Sequence, residues 1–174
     1  MRRWKLLLAG APGAGKSTLC RALLREDRPV VKTQSPEYHA DMAVDLPGEY
    51  LTVPRLRMAF LASAQDAHIV LYLHAANECP PSIPPGLLQA TPGLTLLGVV
   101  SKTDHPDADL ERSRRHLQHL GLPGPYFEIC CLDERSIAPL RGWLAARLPD
   151  FPPAHEENRC ETNGDNGRDH FRSA

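Results

Sequence analysis

Residues 10–18 read Gly10-Ala11-Pro12-Gly13-Ala14-Gly15-Lys16-Ser17-Thr18, an uninterrupted G-x-x-x-x-G-K-[ST] string. The glycines permit backbone angles and a close approach that side chains would block. Successive backbone N–H groups then point inward as an anion-binding nest, and the N-terminus of the following helix adds partial positive charge. Lys16 would reach the β- and γ-phosphates of a nucleoside triphosphate, and the Ser17 hydroxyl would complete a Mg²⁺ shell. A glycine-rich turn in a β-α unit is the plainer alternative. The context argues against it, because an apolar run (Trp4–Ala9) precedes the loop and a helix-like segment (Ser17–Arg25) follows it. In the nucleotide-free protein Lys16 is expected to be a surface cation that adds nothing to the core.

Three further strings face the same ligand. Asp45-Leu46-Pro47-Gly48 ends a short strand. There a carboxylate can serve Mg²⁺ directly or through a second shell, and Gly48 can bring its N–H to the γ-phosphate. Thr33, in Lys32-Thr33-Gln34, sits where a switch-type threonine would meet Mg²⁺ and γ-phosphate, although a plain loop hydroxyl is nearly as good a reading. Ser101-Lys102-Thr103-Asp104 closes an apolar strand. It resembles the Asn-Lys-x-Asp base-recognition motif of Ras-type GTPases with serine for asparagine. The resemblance implies Asp104 as acceptor for guanine N–H groups, Lys102 as a stem over base and ribose, and altered bracing at Ser101. Where that family has a Ser-Ala loop, this chain has Cys130-Cys131-Leu132. The guanine signature is half present, which leaves the base open between ATP and GTP.

The elements that must hold these strings alternate. Trp4–Ala9, His68–His74 and Leu94–Val100 are near-continuous apolar runs of strand length, as strands covered on both faces require. Met42–Leu46 and Tyr126–Cys130 are shorter candidates. Helical patterns lie between them: one after the glycine-rich loop, one starting at Pro54 with Leu56, Ala59, Phe60 and Ser63 on one face, and one over Asp107–Leu120. A last helix is expected to begin near Ser136, with Pro139 in its first turn and Ile137, Leu140, Leu144 and Leu148 on one side. Strands alternating with helices predict a three-layer α/β/α domain around a mostly parallel sheet, spanning residues 1–149. Residues 75–93 hold five prolines and predict a loop with a short helical turn around Pro85–Gln89. Residues 150–174 read as a flexible polar tail, with too little apolar surface to offset their ordering entropy.

Composition narrows the class. Twenty-one acidic residues nearly balance twenty basic ones, so no global field favours nucleic acid or a membrane surface. No run is long enough to span a bilayer and no signal-peptide pattern opens the chain, so a cytoplasmic protein is expected. Five cysteines without a C-x-x-C pair argue for reduced thiols, and one of the adjacent Cys130 and Cys131 is expected to pack in the core. Cysteine and histidine spacing offers no zinc site. His116 and His119, one helical turn apart, and the Arg112–Arg115 cluster read as solvated helix faces.

The loop, Lys32-Thr33-Gln34, Asp45-Leu46-Pro47-Gly48-Glu49-Tyr50, Pro54-Arg55, Pro85-Gly86-Leu87-Leu88 and Ser101-Lys102-Thr103-Asp104-His105-Pro106-Asp107-Ala108-Asp109 together closely resemble the EutP/PduV family. The last string is the specific one, since it is no general GTPase feature. Leu46 departs from the usual threonine of that family. The resemblance implies a Ras-like P-loop NTPase working in ethanolamine or propanediol utilisation. It also implies Mg²⁺-dependent acetate kinase activity with ATP, and an association with the shell of a bacterial microcompartment. In Ras-like hydrolases a glutamine orients the attacking water. Here Glu49 stands in that place, and a carboxylate is repelled by the γ-phosphate and cannot donate as an amide does. That disfavours fast hydrolysis and leaves a slow NTPase switch, transfer to another acceptor, or a nucleotide-gated shell adaptor. Arg55 is the candidate cation for an acetate carboxylate, although a solvated arginine at a helix start is the stronger reading of the residue alone.

Overall fold

Leu6–Gly10 forms β1, and all five residues are buried because strands and helices surround them. The computed structural model describes residues 6–25, 35–39, 42–148 and 151. Trp4, Thr33 and residues 152–174 therefore lie outside the described residues. The remaining strands are β2 (Glu37–His39), β3 (Ala43–Asp45), β4 (Ile69–Ala75), β5 (Thr95–Ser101) and β6 (Phe127–Glu128). The helices are α1 (Lys16–Leu24), α2 (Glu49–Thr52), α3 (Arg57–Ala64), α4 (Leu110–His119) and α5 (Glu134–Ala145), with short 3₁₀ turns at Pro54–Leu56 and Leu88–Ala90.

The sheet order is β2-β3-β1-β4-β5-β6, parallel throughout except for β2, which runs antiparallel to β3. Alternation along each strand separates two cores. Leu6, Leu8, Leu71 and Leu73 pack with Leu19 and Leu23 of α1 and Ile137, Leu140 and Leu144 of α5. Leu7, Ala9, Val70 and Tyr72 pack with Leu51, Phe60, Leu88 and Leu117 from the other side. This is the expected α/β/α arrangement with a mostly parallel sheet, and it is consistent with a P-loop NTPase fold. The sheet extends from β1 both to β3 and to β4, and such a switch point opens a crevice at the strands' carboxyl ends. The Gly10–Thr18 loop leaves β1 at that end.

Several expectations are corrected. The edge strand β2 was not foreseen, nor was the turn of helix α2 between Gly48 and Pro54. Helix α4 begins at Leu110 rather than Asp107, because the Asp109 carboxylate accepts from the Arg112 N–H and caps it. Helix α5 begins two residues before Ser136, because Asp133 supplies the cap while the Ser136 hydroxyl turns back to the Cys130 backbone. Pro139 therefore lies inside the helix, on its exposed side. Of the adjacent cysteines, Cys131 is partly buried and packs against the α1/α5 core, while neither is fully buried. Strand β6 has ended, and Ile129 takes the buried position. Phe151 packs against the α1/α5 core, so apolar packing extends past the boundary expected at 149. Among the described residues no helix is long and apolar enough to cross a membrane.

Candidate functional site

The loop's glycines are required by geometry. Gly10 has φ 149°, and a Cβ there would stand 2.2 Å from the Leu73 carbonyl oxygen. Gly13 and Gly15 occupy the left-handed region, and Gly15 introduces α1. Lys16 is the first residue of α1, and its ammonium turns back over the loop to donate to the Gly10 carbonyl at 3.1 Å and the Ala11 carbonyl at 2.9 Å. It is therefore buried, at 6% exposure, and not the surface cation expected. Burial lowers its pKa, while the Asp45, Glu49 and Glu78 carboxylates pull it back up.

Ser17, one residue on, donates its hydroxyl proton to the fully buried Asp45 carboxylate at the end of β3. These two side chains are the pair expected around Mg²⁺, and they are in direct contact. The chain continues through Leu46, whose N–H is committed to the Leu8 carbonyl, to Gly48. Gly48 lies flat against the loop: a Cβ there would be 2.1 Å from the Pro12 nitrogen and 2.6 Å from the Ala11 carbonyl carbon. Glu49 then opens α2. Arg55 lies in the exposed 3₁₀ turn Pro54–Leu56, apart from the loop in sequence and with its side chain toward solvent.

Strand β2 adds residues that the sequence reading missed. Glu37 pairs in register with Asp45, so Glu37, His39 and Asp45 share one face of the β2-β3 ribbon. Their ligating atoms lie within 4.8 Å of one another. The Arg21 guanidinium of α1 stands 3.9 Å from Glu37 and offsets part of this negative charge. A three-residue strand with a polar sequence carries no periodicity to betray it.

The second half of the site is a cavity of about 290 Å³ lined by Gly15, Thr18, Lys102, Asp104, Cys131 and Leu132, among others. Ser101, the residue before Lys102, is buried and donates to the Ala14 carbonyl at 2.6 Å, tying the end of β5 to the glycine-rich loop. The hydroxyl thus braces the loop directly. Lys102 takes the left-handed backbone conformation at φ 54°, and Asp104 lies exposed at the mouth. Leu132, 86% exposed, forms part of the rim. The Cys131 thiol lies 3.9 Å from the Gly15 carbonyl oxygen. Burial, followed by the neighbouring Cys130 and Asp104, pushes its pKa up to about 11 and keeps it protonated.

Behind the site, two helix-face readings are corrected. His116 is buried, with its Nε2 2.9 Å from the Tyr72 hydroxyl and its ring centroid 4.8 Å from that of His74. Arg112 reaches the Ala76 and Glu78 carbonyls at 3.4 and 3.3 Å instead of facing only solvent.

Comparison with known proteins identifies the family. A family model described as "Ethanolamine utilisation - propanediol utilisation" matches residues 3–146. The "Probable acetate kinase EutP" of Salmonella typhimurium is 38% identical over 142 residues, covering 82% of this chain and 89% of that protein. The protein of the same name from Escherichia coli K12 is 36% identical over the same span and shares. The chain belongs to the PduV-EutP family of ethanolamine and propanediol utilisation.

Proposed function

We propose that the chain binds ATP and Mg²⁺ in the Gly10–Thr18 loop and transfers the γ-phosphoryl group to acetate. The observation carrying this reading is the contact between Ser17 and Asp45, beside a lysine already turned over the loop. A hydroxyl and a carboxylate are hard oxygen donors of the kind Mg²⁺ prefers, and when bound the ion neutralises charge on the β- and γ-phosphates. Lys16 exchanges its two backbone acceptors for phosphate oxygens. Gly48 offers its N–H from a backbone already against the loop. The Lys102–Asp104 cavity takes the base. In the transfer itself an acetate oxygen forms the new bond to phosphorus as the β–γ bridging bond breaks, giving acetyl phosphate and ADP with no proton to move. Phosphoryl transfer of this kind depends on positioning and charge neutralisation. Arg55, on the exposed Pro54–Leu56 turn, is the residue proposed to hold the acetate carboxylate.

Glu49 favours acetate over water as acceptor, because a carboxylate at the head of α2 is poorly suited to orienting a nucleophilic water. The same residue supports the second reading, a slow NTPase or nucleotide-gated adaptor at a microcompartment shell. Turnover with ATP and with GTP, each with and without acetate and with hydroxylamine trapping of acetyl phosphate, separates the two. Acetate-dependent hydroxamate is expected with ATP and should fall with Arg55→Ala at unchanged nucleotide affinity. Phosphate release without any hydroxamate overturns the kinase reading and leaves the second.

A further inference from the structure

The loop leaving β4 places an additional carboxylate at the junction of the phosphate loop and the base cavity. Glu78 Oε1 is 3.0 Å from the Lys102 ammonium. The same oxygen would stand 3.4 Å from a Cβ on Gly13, so the carboxylate lies over the glycine-rich loop where Gly13 carries no side chain.

This placement is built in from several directions. The Ala76 N–H donates to the Ser101 carbonyl at 2.9 Å, so the start of the loop is bonded to the last residue of β5, next to Lys102. The Ala76 carbonyl accepts from the Asp109 N–H at 2.9 Å, and the Arg112 guanidinium reaches the Ala76 and Glu78 carbonyls. The Glu78 N–H donates to the Ala75 carbonyl at 3.1 Å. The backbone of residues 76–78 is thus pinned to β5 on one side and to the start of α4 on the other. This gives a physical reason for the length of the string from Ser101 to Asp109: one end lines the cavity and the other fixes the loop that carries Glu78.

We infer that Glu78 is a positioning residue of the nucleotide site, holding the Lys102 ammonium across the junction so that its stem walls the base cavity. The inference rests on the nucleotide-binding reading above and names a residue outside the motifs that suggested it. Stability alone does not account for the pair. Each partner is more than a third exposed, and ion pairs of that kind contribute little to folding. Orientation is what the pair supplies. A lysine beside a phosphate loop is drawn toward phosphate oxygens, and there its stem no longer covers a base. Glu78 opposes that pull, and Lys102 in turn neutralises a carboxylate that would otherwise repel the ligand.

The test compares two probes, ATP and inorganic tripolyphosphate, each with Mg²⁺, on the full chain. The variants are Glu78→Ala, Glu78→Gln, Lys102→Ala and the double variant Glu78→Ala/Lys102→Ala. Glu78→Ala is expected to weaken ATP about five- to tenfold and leave tripolyphosphate within about twofold, while Glu78→Gln, which still accepts from the ammonium, restores most of the loss. The double variant should bind ATP no worse than Lys102→Ala. Wild-type ATP affinity in Glu78→Ala, equal losses for both probes, or additive losses in the double variant each overturn the role. A wild-type protein that binds neither probe sinks the nucleotide reading itself, an outcome distinct from these.

Discussion

The Ser101 hydroxyl donates to the Ala14 carbonyl at 2.6 Å, joining residues 87 positions apart and tying the end of β5 to the glycine-rich loop. Its oxygen also lies 3.4 Å from the His74 carbonyl, so one small side chain gathers β4, β5 and the loop.

Ser101→Ala should leave the Ala14 carbonyl buried without this donor, at a cost of about 1–3 kcal/mol in unfolding free energy. Nucleotide affinity should fall as well, because the loop loses its fixed attachment to β5. Urea unfolding and a nucleotide titration on the same preparation check both. Unchanged affinity would mean that the loop holds its shape without the brace.

The elements easiest to read were those whose surroundings are written into their own composition. Strands β4 and β5 are covered on both faces, so nearly every residue is apolar and the run is visible at once. The phosphate loop was legible because its backbone admits few residue types. Strand β2 was not, since Glu37-Tyr38-His39 owes its conformation to pairing with β3. The burial of His116 was equally invisible, because its partner Tyr72 lies 44 residues away. Lys16 was singled out by its motif. Its burial was not, because a lysine with two backbone acceptors needs no ligand to leave the solvent.

Lys16→Ala should reduce nucleotide affinity at least tenfold, since losing a charge-assisted contact to phosphate costs about 1.5–3 kcal/mol. It should also change stability, because the ammonium holds two backbone carbonyls in the free protein. A loss of about 1 kcal/mol in urea unfolding is expected. A well-folded variant with wild-type affinity would overturn the assignment of the phosphate site.

The paired histidines predict an acid-sensitive fold. Burial, then the Arg112 charge, depresses His74 to about 4; burial, then His74 and His119, depresses His116 to about 4. Both start from an ordinary value of 6.5 and therefore stay neutral in the folded protein at pH 7. The unfolded chain takes up protons first as the pH falls. Stability should be level above about pH 6.5 and decline toward pH 4, by about 3 kcal/mol for the first proton of the pair. His116→Leu should flatten that decline, at some cost at pH 7 from the Tyr72 hydroxyl it strands. Unfolding free energies from pH 4.5 to 7.5 provide the measurement, and identical slopes in wild type and variant would contradict it.

Asp104→Asn separates the two bases. If Asp104 accepts from guanine, the variant should lose GTP and gain xanthosine triphosphate, whose extra carbonyl accepts from the new amide. With ATP as the physiological ligand, binding should weaken without that exchange. Competition titrations with the three nucleotides decide, and a clear swap would overturn the preference for ATP.

Gly48→Ala probes the contact between the end of β3 and the loop. A methyl group at residue 48 would overlap the Pro12 nitrogen and the Ala11 carbonyl, both backbone atoms that cannot rotate away. Either the loop or the Asp45–Gly48 segment must move by about an ångström, which displaces the backbone N–H groups proposed to hold the phosphates. Gly48 is buried and lies two residues from Leu46 of one core, so the comparison counts only where the variant is shown to fold. Gly142→Ala is the matched control, because nothing lies within 4 Å of a Cβ there and the residue is inside α5. That change should stabilise the protein by about 0.5–1 kcal/mol through helix propensity alone and leave nucleotide affinity untouched. Affinity lost in Gly48→Ala, with Gly142→Ala unaffected and both variants folded by circular dichroism, is the expected result. Wild-type affinity in Gly48→Ala would show that the loop and the β3 end do not need to touch for the ligand to bind.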